Sequence, residues 1–432
     1  MKRLNTLNTG FESDFASLMA DRSSEERSVA EPVRAILADV RARGDEALCD
    51  YTARFDRLTL PADKLRISAE EIAREADRVP ADLMEALKTA ARRIEAFHAA
   101  QMPKDLDFTD DEGIRLGMRW TSLDAVGLYV PGGKAAYPSS VLMNALPARV
   151  AGVQRVAMCV PSPDGVLNPL VLAAARLCGV EEIYRIGGAQ AVGAMAYGTE
   201  RIAPVDRIVG PGNAFVAEAK RQVFGHVGID SIAGPSEVVV VADGNNDPRL
   251  AAIDLLAQAE HDEQAQAILI TTDAAFGDAV SQAVLTELQT LPRTAIAAKS
   301  WADHGAVIVV KDLNEAARIV NQLAPEHLEV LLDEPRAFSA LVRHAGAIFM
   351  GRYCPEAVGD YVGGPNHVLP TSRTARFASG LSVFDFIKRT TTIEADESGL
   401  KKIGPAGVAL AQAEGLDAHA LSLSLRLDQL GI

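Results

Sequence analysis

Between about residue 105 and residue 350 the chain repeats one unit: a short β-branched run closed by glycine or a polar turn, followed by a helix-period segment. The runs are "AVGLYVPGG", "RVAMCVPSP", "EIYRIGGAQ", "RIVGPGN", "SEVVVVAD", "AILITTD", "AVIVVKD", "LEVLLD" and "AIFMG", with helical patterns such as "PLVLAAARLCG" and "EAARIVNQL" among them. Strands that alternate with helices pair in parallel, because a parallel connection needs a crossover of helix length. There are enough runs for two such sheets, and proline and glycine punctuate the pattern in "IAGPSE", residues 232–237.

The flanks have a different texture. Residues 23–103 are charged and helical, with apolar residues returning every three or four positions in "EPVRAILADVRARGDEALCDYTARF". From about residue 385 a polar connection leads into two amphipathic helical stretches. The expected architecture is α/β: two Rossmann-like parallel-sheet domains with an N-terminal helical segment and a C-terminal helical tail. The expected limits are 1–104, 105–236, 237–384 and 385–432. His98, at the apolar edge of the first segment, reads as a packed histidine.

The 43 basic residues are outnumbered by 58 acidic ones, a net charge of −15 that disfavours nucleic acid and anionic membranes and suits a small cationic ligand. No apolar run approaches bilayer length, and "MKRLNTLNTGFESDF" lacks the apolar core of a signal peptide. Cys49, Cys159, Cys178 and Cys354 are scattered without a C-x-x-C, so neither a disulfide framework nor a cysteine zinc site is expected. A protein of reducing cytoplasm is the expectation.

Ligands of parallel α/β sheets collect where the strands' carboxyl ends open into loops. Four glycine-rich loops are assigned to that position: "YVPGGKAAYPSS" with Tyr129, Gly132 and Gly133; "GGAQAVG" with Gln190; "GPGNAF" with Asn213; and "GPSE" with Ser236. Amides at a helix N-terminus suit a pyrophosphate. No G-x-G-x-x-G occurs, since Phe215 stands at the third glycine position, so phosphate binding and plain tight turns both remain open. Gly225 and Gly228 read as helix termination and turn, with His226 an exposed loop residue between them.

The polar residues with chemical potential lie mostly in the second run of strands. "LAPEHLEV" places Glu326 beside His327 where helix passes into strand, either a proton-transfer pair or a surface turn. "LLAQAEHD" sets Gln258 and His261 three residues apart near a helix end, able to reach one point. "CPEAVGDYVGGPNHVLP" offers Asp360 and His367 on a glycine-rich loop, and "AEGLDAHA" carries Glu414 and His419 with Asp417 a candidate N-cap. Together Gln258, His261, Asp360 and His419 would give two imidazoles, a carboxylate and an amide oxygen, a set better suited to zinc than to magnesium or calcium. His304 and His344 lack such context, and no H-E-x-x-H is present.

Taken in order, "GLYVPGG", "YPSSVLMNALPARVAGV", "RIGGAQAVGAMAYGT", "IVGPGNAFVAEAKR", "GIDSIAGPSEV", "DLLAQAEHD", "APEHLE", "GDYVGGPNHVLPT" and "EGLDAHA" resemble the histidinol dehydrogenases, from about residue 28 to the C-terminus. The resemblance implies one zinc per subunit on Gln258, His261, Asp360 and His419, with Glu326 and His327 as general bases. It implies NAD contacts at Tyr129, Gln190 and Asn213. Substrate contacts would fall on Ser236, Gln258, His261, His327, Asp360, Glu414 and His419, with His367 a neighbour. It also implies a homodimer whose C-terminal segment completes the partner's site.

The implied reaction is the four-electron oxidation of L-histidinol through bound L-histidinal to L-histidine, the last two steps of histidine biosynthesis, with no covalent cysteine adduct. Three alternatives stand beside it: a relative acting on another small diol or amino alcohol such as a sulfonated propanediol, a zinc hydrolase using Glu326, and a non-catalytic nucleotide-binding protein. Retention of the whole "EGLDAHA" segment favours histidinol.

Overall fold

The structure is a computed structural model, and it describes residues 1–20, 29–132, 137–232 and 234–432. Gly133, one of the loop glycines singled out above, lies outside the described residues. In chain order the strands are β1 (Lys2–Asn5), β2 (Leu106–Thr109), β3 (Arg115–Ser122), β4 (Ala125–Tyr129), β5 (Arg155–Cys159), β6 (Glu182–Tyr184), β7 (Arg207–Val209), β8 (Gly228–Ile229), β9 (Glu237–Ala242), β10 (Gln266–Thr271), β11 (Ala306–Val309), β12 (His327–Leu331), β13 (Ala347–Met350) and β14 (Ile387–Glu394). The chain falls into two units, Met1–Ala100 with Asp124–Phe386, and Gln101–Leu123 with Ile387–Ile432.

The first unit holds both parallel sheets. One has the order β6-β5-β4-β7-β8 and the other β1-β11-β10-β9-β12-β13, with every pairing parallel. In each, the chain runs outward from a central strand (β4 or β9) in one direction and then returns to build the other side. That leaves topological switch points between β4 and β7 and between β9 and β12. Helices cover both faces, so β9, β10, β11 and β12 are buried along their whole length. This is why they read as continuous apolar runs rather than alternating ones.

The N-terminal helices divide between the sheets. Val33, Ile36, Leu37, Val40 and Leu48 share a core with Ala157, Cys159, Tyr184 and Ile208 of the five-stranded sheet. Phe11, Phe15 and Leu18 pack instead against Ile268, Ile270 and Ile308 of the six-stranded sheet. The segment before them is not helical: β1 adds an edge strand beside β11, with Lys2 opposite Ala306. His98 is fully buried, its Nδ1 2.7 Å from the Ile94 carbonyl oxygen.

In the second unit, β14 pairs antiparallel with β3 from Ile387 opposite Ser122 to Glu394 opposite Arg115, and β2 pairs with β3's other edge. The polar connection expected after residue 385 is therefore in part a strand, whose outward residues carry little apolar signal. Two helices follow, Glu397–Ala413 and Asp417–Gln429. Asp417 occupies the first helical position, with Leu416 at the N-cap instead. Among the described residues no helix is long and apolar enough to cross a membrane.

Candidate active site

A cavity of about 430 Å³ in the first unit is lined by Tyr129, Gly212 and Asn213 from the five-stranded sheet and by Ser236, Glu326 and His327 from the six-stranded one. Gln258, His261, Glu356, Asp360 and His367 complete its polar wall. The two sheets contribute opposite edges. Tyr129 ends β4 and Asn213 follows β7, at the carboxyl-edge switch point, whereas Ser236 precedes β9 and His327 opens β12. The assignment of "GPSE" to a carboxyl-end loop is thus corrected, because its glycine and proline introduce β9 instead of closing a strand.

On the five-stranded side, Asn213 is the N-cap of the helix Ala214–Val223, its side-chain oxygen accepting from the Phe215 and Val216 amides at 3.1 and 3.2 Å. The loop before it is held from within. Buried Lys220 donates to the Gly210 carbonyl at 3.0 Å and pairs with Asp230, whose carboxylate accepts from the Gly210 amide at 2.8 Å. Gly210 has φ +110°, and a Cβ there would strike the Tyr129 carbonyl oxygen, so only glycine fits this crossing of β4. The Tyr129 hydroxyl accepts from the Gly188 amide at 3.0 Å, and burial pushes it up to about 12. Gln190 is buried in the first turn of the helix Gly188–Tyr197 and does not line the cavity; its Oε1 has no hydrogen-bond partner.

On the other side, the helix Leu313–Leu323 ends with Ala324 in the left-handed conformation, and Pro325 and Glu326 lead straight into β12. His327 is 4% exposed. Its Nδ1 lies 3.1 Å from the Glu237 carbonyl oxygen, which only accepts, so Nδ1 carries the hydrogen and Nε2 is left as the basic nitrogen. That Nε2 has no hydrogen-bond partner and stands 3.9 Å from Asp360. Burial lowers the imidazole to about 3, so it is neutral across the physiological range. Glu326 accepts from the Glu237 amide at 3.0 Å and lies 3.7 Å from His327 Nδ1.

The short helix Glu356–Tyr361 brings Glu356 and Asp360 to one face, four residues apart. Ligand atoms of His261, Glu356 and Asp360 all lie within 4.8 Å of one another. Gln258, from the last turn of Pro248–Ala259, is buried with its Oε1 unpartnered. His367 Nδ1 lies 3.1 Å from the Asp360 carbonyl oxygen, and burial lowers this ring to about 4. Burial raises Asp360 to about 6. Burial also raises Glu329 and Glu356 well above the usual range, with Asp254 adding its charge against Glu329 and Asp360 against Glu356. Imidazole nitrogen, an orphaned amide oxygen and clustered carboxylates fit a borderline divalent cation.

Glu356, Glu329 and Glu237 were not anticipated. A usable signal existed for each of the first two: Glu356 stands four residues before Asp360, and Glu329 interrupts an otherwise apolar buried strand. Glu414 and His419 belong to the second unit, where both are solvent-exposed.

Two doubly wound parallel sheets whose edges meet over a buried base and a carboxylate cluster define an α/β enzyme. Residues 19–427 match the family model described as histidinol dehydrogenase. Histidinol dehydrogenase of Gluconobacter oxydans is 86% identical over 429 residues, covering 99% of this chain and 100% of the relative. That of Rhodospirillum rubrum is 61% identical, covering 99% of each. The crystal structure of histidinol dehydrogenase from Elizabethkingia anophelis superposes with a TM-score of 0.95 at 35% identity, covering 100% of this chain and 99% of that one. The chain belongs to the histidinol dehydrogenase family and is an oxidoreductase.

Proposed function

We propose that the protein oxidises L-histidinol through L-histidinal to L-histidine, with NAD as hydride acceptor and one zinc ion in the cavity. The observation that carries this reading is His327: a buried, neutral imidazole whose tautomer leaves Nε2 unpartnered beside Asp360. Gln258, His261 and Asp360, with His419 from a second copy, would hold zinc; Tyr129, Gln190 and Asn213 would contact NAD. When bound, zinc orients the substrate's nitrogen atoms and NAD accepts the hydride.

The residues then divide the proton work. His327 Nε2 removes the hydroxyl proton of histidinol as hydride leaves the carbon. Glu326, oriented by the Glu237 amide, takes a proton from the water that adds to the aldehyde. His327 takes the hydroxyl proton of the resulting hydrate in the second oxidation. Ser236, Glu414 and His367 complete the substrate's polar surroundings. Covalent catalysis is not needed: burial raises the thiols of Cys159 and Cys178 above their ordinary value, opposite to an activated nucleophile.

A homodimer completes the site in this reading. Glu414 and His419 are exposed in the single chain, and the same helices expose Leu410, Leu421 and Leu425, each more than half accessible. Exposed apolar residues clustered in this way suit a partner surface. Four free cysteines favour the cytoplasm. The deciding experiment counts NADH formed per L-histidinol consumed, before and after chelation. Two NADH per substrate, abolished by the chelator and restored by zinc, is expected; no turnover by zinc-replete protein would overturn the reading.

A further inference from the structure

Ser372 and Arg373, at φ +52° and +64°, are the only adjacent pair of non-glycine residues with left-handed backbone among the described residues. A side chain at such angles crowds the following carbonyl, so the conformation persists only where the surroundings over-determine it, and it collects at functional sites. The turn is closed by the Thr374 amide, which donates to the Thr371 carbonyl at 3.0 Å. Three further hydrogen bonds tie it to the rest of the molecule.

Two of them reach the chain that enters β9. The Ser372 amide donates to Glu237 Oε1 at 2.6 Å, and the Gly234 amide donates to Thr371 Oγ1 at 2.6 Å. A Cβ on Gly234 would strike the Ser372 hydroxyl, so this close approach requires glycine. The third reaches the chain that enters β12: Arg373 Nε donates at 3.1 Å to the Gln322 carbonyl, in the last turn of the helix that leads to Glu326 and His327. The turn thus bridges the entries to two neighbouring strands. Thr371 lines the active-site cavity, and so does Ser236, which lies between Gly234 and Glu237.

Glu237 stands at the junction. Its amide donates to Glu326 and its carbonyl accepts from His327, contacts that the pairing of β9 with β12 fixes whatever side chain the residue carries. The side chain serves the turn. Glu237 is 3% exposed, and a buried carboxylate is costly unless it accepts hydrogen bonds such as the one from Ser372. We infer that the Glu237 side chain is a positioning residue for substrate binding: it holds the Ser372–Arg373 turn in its strained form, and the turn fixes the segment from Gly234 to Ser236 against the cavity. The inference rests on histidinol meeting Ser236 and extends that reading to the group that places Ser236. Backbone and side chain of one residue thereby register the bases and the substrate to each other.

Steady-state kinetics of the zinc-replete, full-length protein at saturating NAD test this. Because strand pairing still orients the bases, Glu237→Ala raises KM for L-histidinol about tenfold while kcat falls less than threefold. Glycine adopts positive φ without strain, so Ser372→Gly placed in the Glu237→Ala chain returns KM most of the way to the wild-type value, a repair that a merely structural loss would not show. Thr371→Val removes the acceptor of the Gly234 amide, the other tie to the same segment; it raises KM in the same sense and carries the test should Glu237→Ala fail to fold. An unchanged KM in either folded variant, a loss confined to kcat, or a raised KM that Ser372→Gly does not lower overturns the assignment. No turnover of histidinol by the wild type overturns the functional reading instead, and the inference with it.

Discussion

His327 donates from Nδ1 to the carbonyl oxygen of Glu237, 3.1 Å away, and this one contact decides which face of the imidazole is basic. Glu237 opens β9 and His327 opens β12, neighbours in the sheet with His327 opposite Val238. The tautomer is thereby fixed by strand register, and a backbone group that no side-chain substitution removes orients the base.

Replacing that imidazole separates base chemistry from folding. His327→Gln should lower kcat for histidinol oxidation by about 10² to 10⁴, with NAD affinity and thermal stability near wild type. Wild-type kcat in the variant would remove His327 from the mechanism.

Ligand atoms of Glu356, His261 and Asp360 lie close enough together to hold one cation. Glu356→Gln should weaken zinc binding by about 10- to 100-fold, read by competition with a chromogenic chelator independently of turnover. Unchanged zinc affinity would reduce Glu356 to a packing role.

A shared site can be rebuilt from two damaged chains. Mixing inactive His327→Ala and inactive His419→Ala subunits should recover activity through dimers that carry one intact cavity. No recovery after subunit exchange would mean that each chain is self-sufficient.

His98 supplies the pH test. Burial lowers its pKa from the ordinary 6.5, so below that value the unfolded chain binds a proton that the folded one refuses. Stability is therefore intact above pH 6.5 and falls as the pH drops below it. Thermal melts should show a smaller acid-induced loss for His98→Gln than for the wild type; parallel losses would contradict the assignment.

Much of the parallel core was legible because a strand buried on both faces must be apolar throughout, and each run quoted for it is a strand. The exceptions follow the same physics. "KRLN" and "IKRTTTIE" are strands made by pairing with distant partners, β11 and β3, and they keep exposed polar residues that carry no periodic signal. In the site, adjacency marked Glu326 and His327, and helical spacing marked Gln258 and His261. The sheet edge they occupy was not legible, since a strand's direction within a sheet leaves no trace in its own residues. Glu329 was passed over because its strand reads as core, although a carboxylate there is what the neighbouring Glu356 amide binds, at 2.5 Å.

The pairing of Lys2 with Ala306 also sets a timetable. β1 leaves the ribosome before every strand of its sheet, and the slot it fills exists only after β11 has been synthesised and laid beside β10. Its own Leu4 and the neighbouring Phe11 and Phe15 must remain uncommitted until then, so closure of this sheet edge is a late event, governed by the long loop from Lys2 to Ala306.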